Sequence, residues 1–421
     1  MSGATTLFIN ASQVVTCEGP ARARRGGEMS DAVVRDAVGI AVGADGRVLK
    51  VDTDVELRRA HPNAELIDCA RGVLTPGFVD SHTHAIFGRA RYEEQEMRAA
   101  GVGYLEIAKR GGGIHSSVRD LRERSDDELF TLAVERLRRL AAHGTTTIEV
   151  KSGYGLSLES ELRTLRVIRR LAAELPIRLV PTFLGAHEVP LEYRQAPRTR
   201  AEYLDLLIHD MLPVVAGEKL ACFCDIFCEP GVYTIDESRR LLLAARGHGL
   251  ALKLHADELE NGAAAELAAE IGATSADHLA AISELGIAAL AQSRTVATLL
   301  PGTMLFLGRA KQAPARALLT AGCAVALASD FNPGTSPTVN FPLVLTLAVS
   351  QLRLSVAEAF VAATVNGAAA VGMAGALGQL APGFHADLAL FDVGDHREIP
   401  YWYGDRRCLR TWVGGRAAHT P

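Results

Sequence analysis

Pro76-Gly77-Phe78-Val79-Asp80-Ser81-His82-Thr83-His84 is the stretch whose reading decides the fold. A Pro-Gly turn opens a short apolar run, and the run ends in two histidines spaced two apart. On an extended backbone residues i and i+2 point the same way, so His82 and His84 can grip one ion. Side chains delivered by the end of a buried strand are how an α/β barrel builds a site on its C-terminal rim.

Seven further apolar, β-branched runs follow, ending near Lys151, His187, Glu229, His255, His278, Pro301 and Asp330. Helical patterns lie between them, for example Asp126–His143, Glu159–Leu175 and Leu259–Ile271. Eight strand–helix alternations over roughly 300 residues predict an α/β fold of the (β/α)8 TIM-barrel type. Spacing does not record strand order, so an open doubly wound sheet stays as the alternative. Short strands flank this region: Thr6–Asn10, Gly39–Val42 and Arg47–Val51 before it, Asp387–Phe391 and Arg410–Val413 after it. The expectation is a small β-sandwich domain composed of residues 1–72 and 382–421 around a catalytic barrel of residues 73–381.

Composition narrows the function. Of 421 residues 48% are hydrophobic and 22% charged, enough for a large core and unlike a disordered chain. The net charge is −5 with no long basic run, which argues against a nucleic-acid partner. Arg22-Ala-Arg24-Arg25 reads as a solvated loop. No apolar run reaches about 18 residues, so no membrane span is expected. The N-terminus lacks a basic stretch followed by a long apolar one and does not read as a signal peptide. Seven cysteines show no disulfide framework, and Cys222, Cys224 and Cys228 read as buried thiols on one strand face. A cytoplasmic location follows from these features.

The chemistry lies at the strand ends. On a barrel, His82, His84, His187, His255, His278 and Asp330 share one rim. Any one histidine would read as a hydrogen-bonded structural residue, but the set reads as a metal centre. His82, His84, His255 and Asp330 make a shell suited to Zn2+ or Fe2+. A bound divalent ion brings the pKa of its water to about 7, and Asp330 can take the proton. Glu258, three residues past His255 at the expected start of a helix, and His278 are candidate proton carriers. Arg91 offers a planar fork for a carboxylate, although its neighbours Arg89 and several glutamates also fit a solvated loop. Tyr154 stands between two glycines that can turn tightly and present its ring. The turn Asn332-Pro333-Gly334-Thr335 can aim backbone N–H groups at a ligand.

Pro76–His84 resembles the first-strand motif of the amidohydrolase superfamily. Gly111-Gly112-Gly113-Ile114, the segment Glu149–Leu156, Thr182–His187, His255-Ala256-Asp257-Glu258 and Asp330–Pro337 narrow the resemblance to the imidazolonepropionases, in the same order over nearly the whole chain. The resemblance implies hydrolysis of the cyclic amide C–N bond of 4-imidazolone-5-propanoate to N-formimino-L-glutamate, a step of histidine degradation. It implies one divalent ion, Zn2+ or Fe2+, on His82, His84, His255 and Asp330, with Glu258, His278 and Asp330 as catalytic groups. It implies substrate contacts from Arg91, Tyr154, His187, Glu258, Asn332, Gly334 and Thr335, and a homodimer. Two-metal relatives carry a carboxylated lysine on the fourth strand. Here that strand ends in Cys228-Glu229, and Lys151 ends the second, so one metal is expected. Ser81 and Phe331 depart from the family's usual residues without touching an expected ligand. Two alternatives are left open: a guanine or cytosine deaminase with the same metal set, and a non-catalytic scaffold barrel.

Overall fold

A computed structural model describes residues 5–102, 106–107 and 111–420. Eight parallel strands pair with their neighbours in chain order: Phe78–Asp80, Thr145–Lys151, Arg178–Ala186, Phe223–Cys228, Ala251–Ala256, Ser275–His278, Val296–Leu299 and Val325–Leu327. The sheet closes just beyond its first and last strands. The Asp330 N–H donates to the His82 carbonyl at 3.1 Å, and the His84 N–H to the Phe331 carbonyl at 2.9 Å. The barrel expected from the sequence is therefore present, and its seam runs through candidate metal ligands. Gly77 is required at the entry to the first strand, because a Cβ there would sit 2.1 Å from Thr146 Oγ1.

Strand periodicity sorts the barrel side chains. Ile148 and Val150, Cys224 and Ile226, and Leu252 and Leu254 belong to the main apolar core. The alternate residues Glu149 and Lys151, Asp225, and Lys253 and His255 are buried on the opposite faces of the same strands. Helices begin where side chains satisfy their first amides. Ser125 and Glu128 form a capping box for Asp126–Ala141, and Ser157 caps Leu158–Glu174. The helix expected over Leu259–Ile271 runs only from Ala264 to Glu270. Asp257 causes the delay, since its carboxylate accepts the amides of Gly262, Ala264 and Ala265 and rounds the chain into a loop first. Glu258 accordingly stands in that loop and not at a helix start.

Strands from both termini form two further sheets. One runs Val48–Asp52, Gly39–Val42, Thr6–Ile9, Glu65–Asp68; the other runs Arg416–His419, Cys408–Val413, Leu388–Phe391, Val73–Pro76, Gln13–Val15, Val34–Asp36. They share an apolar core in which Phe8, Ile40 and Val42 meet Val14, Leu74, Leu388 and Trp412. Phe8 meets Trp412 edge to face, with centroids 4.9 Å apart. The strand Val73–Pro76, expected on the barrel side of a division at residue 73, pairs instead with Leu388–Phe391 and Gln13–Val15.

Two smaller expectations also change. Arg24 is buried and donates to the Cys17 and Asp31 carbonyls, while Arg25 donates to those of Gly322, Ser293 and Ala291. Both anchor the N-terminal segment instead of lying in a solvated loop. Cys222 precedes its strand and is exposed, whereas Cys224 and Cys228 are buried. Among the described residues no helix is long and apolar enough to cross a membrane.

Candidate active site

The four candidate ligands converge. His84 Nε2 lies 3.4 Å from His255 Nε2 and 3.5 Å from Asp330 Oδ1, and His82 Nε2 lies 3.6 Å from the same oxygen. Bonds of about 2.0–2.2 Å around a tetrahedral ion place neighbouring donors about 3.3–3.6 Å apart. The spacing therefore fits one divalent ion. His82 Nε2 is buried and has no hydrogen-bond partner among the described residues, as expected of a lone pair reserved for such an ion. Burial, with neighbouring positive groups, holds His82 and His84 well below the usual imidazole range, which keeps them neutral and able to ligate. Burial raises the Asp330 carboxyl to about 6, and Thr303 Oγ1 donates to its Oδ2 at 2.6 Å. Among the described residues three overlapping groups meet metal-site spacing: His82, His84 and Asp330; His84, His187 and His255; His82, His255 and His278.

Carboxylates behind the ligands fix their orientation. Asp277 Oδ2 is 2.7 Å from His82 Nδ1, and Asp225 Oδ2 is 3.0 Å from His255 Nδ1. Each acidic group favours the proton on Nδ1 and turns Nε2 toward the common centre. The Lys151 ammonium is fully buried against Glu149 and Asp225, 2.7 Å from each. Burial opposes that charge, but Asp225 and Glu149 outweigh it and raise its pKa above the usual amine range.

A cavity of about 690 Å3 opens above, lined by His84, His255 and Asp330 on one side and by Arg91, Arg98, Tyr154, His187, Phe227, Glu258, His278, Asn332 and Thr335. His187 stacks on His84 with centroids 4.8 Å apart, and its Nδ1–H donates to the Gly153 carbonyl at 3.0 Å. Burial lowers its pKa to about 3. Tyr154 is buried against both the His84 and His187 rings. Its loop is held from below by the Glu161 carboxylate, which accepts the amides of Gly153, Gly155 and Leu156. Glu229 does the same for Glu258, accepting the amides of Glu258, Leu259 and Glu260. Glu258 Oε2 is 3.6 Å from His278 Nε2. Burial, together with the nearby Asp330 and Glu229 carboxylates, pushes the Glu258 carboxyl well above its usual range.

The comparisons bear on what this arrangement is for. The amidohydrolase family model matches residues 103–419. An imidazolonepropionase from Symbiobacterium thermophilum is 47% identical over 402 residues, covering 94% of this chain and 93% of its own. One from Solibacter usitatus is 44% identical over 416 residues, 98% of each chain. The chain belongs to the imidazolonepropionase family. Solved structures agree on the fold. A Xanthomonas campestris adenosine deaminase with bound zinc matches with a TM-score of 0.72 at 17% identity over 98% of this chain and 92% of its own. Escherichia coli guanine deaminase matches at 0.70 and 17% over the whole of both chains.

Two of the expected contacts in this imidazolonepropionase-family chain take a different form. The amides of Gly334 and Thr335 do not point at a ligand, because Asn332 Oδ1 accepts both, at 2.8 and 2.7 Å. Asn332 locks its own turn, a habit of this side chain that competes with ligand binding. Gly334 makes room: a Cβ on it would lie 1.4 Å from Arg91 Nη2. Arg91 is no solvated loop residue. It is buried, with Nε 3.4 Å from Glu94 Oε1 and Nη1 3.4 Å from Ser117 Oγ. Glu94 in turn accepts the Gly113 amide at 2.7 Å, so the triple-glycine motif supports the guanidinium. Sequence reading missed Asp225, Asp277, Thr303, Glu161 and Glu229. The available signal was a charged residue alternating with apolar ones inside a strand, as Asp225 does within Phe223–Cys228.

Proposed function

We propose that the chain hydrolyses the ring amide C–N bond of 4-imidazolone-5-propanoate to N-formimino-L-glutamate, with one divalent ion on His82, His84, His255 and Asp330. The observation that carries this reading is one cavity holding convergent imidazoles on one side and the buried Arg91 guanidinium on the other. The names of relatives that share 44–47% identity over nearly the whole chain support the substrate. The bound ion, Zn2+ or Fe2+, supplies Lewis acidity that makes hydroxide available near neutral pH. Asp330 accepts the proton of the attacking water. Glu258, its carboxyl raised by burial and the nearby Asp330 and Glu229 carboxylates, donates to the ring nitrogen that leaves, and His278 polarises the ring carbonyl. Arg91 takes the propionate, and Tyr154 and His187 enclose the ring. Loss of substrate absorbance on adding metal-reconstituted protein tests the activity directly.

If Arg91 clamps the propionate, Arg91→Ala should raise KM by about 10–150-fold, the equivalent of about 1.5–3 kcal/mol for a charge-assisted hydrogen bond. Arg91→Lys should recover only part, since ammonium lacks the bidentate fork. Gly334→Ala should imitate the loss, because the added methyl displaces Nη2. Steady-state kinetics with the substrate and with an imidazolone lacking the tail check this. Equal turnover of the two compounds by the unmodified enzyme would reduce the assignment to an unspecified cyclic amidohydrolase.

The layout in which residues 1–72 and 382–421 form one β domain beside a barrel reaching residue 381 belongs to the same reading, with Val73–Pro76 joining the β domain. So does a homodimer, supported by exposed Tyr401, Trp402 and Tyr403 on a single turn. A cytoplasmic location is supported by seven free cysteines.

A further inference from the structure

We infer that Lys151 is a positioning residue for the metal centre, its ammonium tying the two carboxylates that hold His82 and His255 into one buried unit beneath the ligands. The inference rests on the metal reading above. Lys151 Nζ and His255 Nδ1 share a single oxygen, Asp225 Oδ2, at 2.7 and 3.0 Å. Asp277 Oδ2 holds His82 Nδ1 at 2.7 Å and lies 3.9 Å from Lys151 Nζ. The side chains of Lys151, Asp225, Asp277 and Glu149 are all fully buried. Lys253 closes the unit from the other side, 3.6 Å from Asp277 Oδ2 and donating to the Ser81 carbonyl directly before His82.

Stability alone does not explain such a cluster. Buried ion pairs are weak stabilisers, because desolvation offsets most of the attraction and apolar replacements often serve as well. Here the strands that supply it are distinct. Lys151 ends the second strand, Asp225 lies on the fourth and Asp277 on the sixth, so one ammonium links three strands across the barrel interior. The carboxylates it links face the Nδ1 atoms of two of the three candidate imidazole ligands, Asp277 that of His82 and Asp225 that of His255. An ammonium engaged with two carboxylates is also a poor candidate for carboxylation, so a second, lysine-bridged metal has no support from Lys151.

Zinc affinity of the metal-free full-length chain, measured by chelator competition, tests the role alongside absorption spectra of the cobalt-loaded forms. Lys151→Met should weaken zinc binding by about 10–100-fold, the range for outer partners of metal ligands, and shift the cobalt bands. KM for the substrate should stay unchanged, since Lys151 does not line the cavity. Lys151→Gln, which keeps an N–H donor at similar length, should recover part of the affinity. A folded Lys151→Met that binds zinc as tightly as the unmodified chain, with the same cobalt spectrum, overturns the inference even if it melts earlier. Should Lys151→Met not fold, Lys151→Gln and Asp277→Asn decide, and unchanged zinc affinity in both overturns it. An unmodified chain that takes up no zinc overturns the metal reading and this inference together.

Discussion

Purified His255→Ala protein should carry no divalent ion where the unmodified chain carries about one. His255 Nε2 sits 3.4 Å from His84 Nε2 and its ring centroid 4.5 Å from that of His82, so the substitution removes a donor from the middle of the set. Affinity should fall by more than the roughly 100-fold that loss of an outer partner produces, and turnover should fall with it. Asp330→Asn is the milder counterpart. It keeps the shape and the Thr303 contact but loses the charge and the proton acceptor, so it should leave the centre empty or inert. Metal analysis beside an activity assay reads both. A content near two ions per fully active chain would rule out the single-ion centre.

Glu258→Gln and His278→Asn should each retain the metal and lose at least about 10²-fold in kcat, the usual scale for a general acid–base group. Both substitutions are designed to spare the local fold. Glu229 holds the Glu258 loop through backbone amides alone, so an isosteric amide does not release it. His278 has a φ of 82°, a left-handed conformation that asparagine adopts more readily than most residues. Strained backbone at this position is costly and is found where function demands it. Single-turnover kinetics on metal-replete variants would separate chemistry from binding. Near-normal turnover in both variants would make Glu258 and His278 structural.

The barrel was legible because its strands are buried on both faces and therefore read as largely apolar, β-branched runs, most of them stopping at a polar residue on one rim. His82 and His84 were legible for the same local reason, a period of two on an extended backbone. Val73–Pro76 carries no local mark of which sheet it will join. Its partners, Leu388–Phe391, lie over 300 positions away. The loop carrying Glu258 misled because Leu259–Ile271 has good helical composition, and only the Asp257 carboxylate, capturing three later amides, delays the helix.

Residue types and their order along the chain thus determined the fold class and which histidines and aspartate stand at strand ends, since each follows from short-range periodicity or side-chain chemistry. Tertiary structure alone decided which polar groups face each other. Closure of the barrel brought His82 to Asp330, and strands far apart in sequence brought Asp277 to His82 and Asp225 with Lys151 to His255. It also decided that the Asn332 turn uses its amides on itself and that Gly334 serves Arg91 by having no side chain. The physical reason is that hydrogen bonds and ion pairs depend on distance in space, and a single sequence fixes such distances only within a few residues.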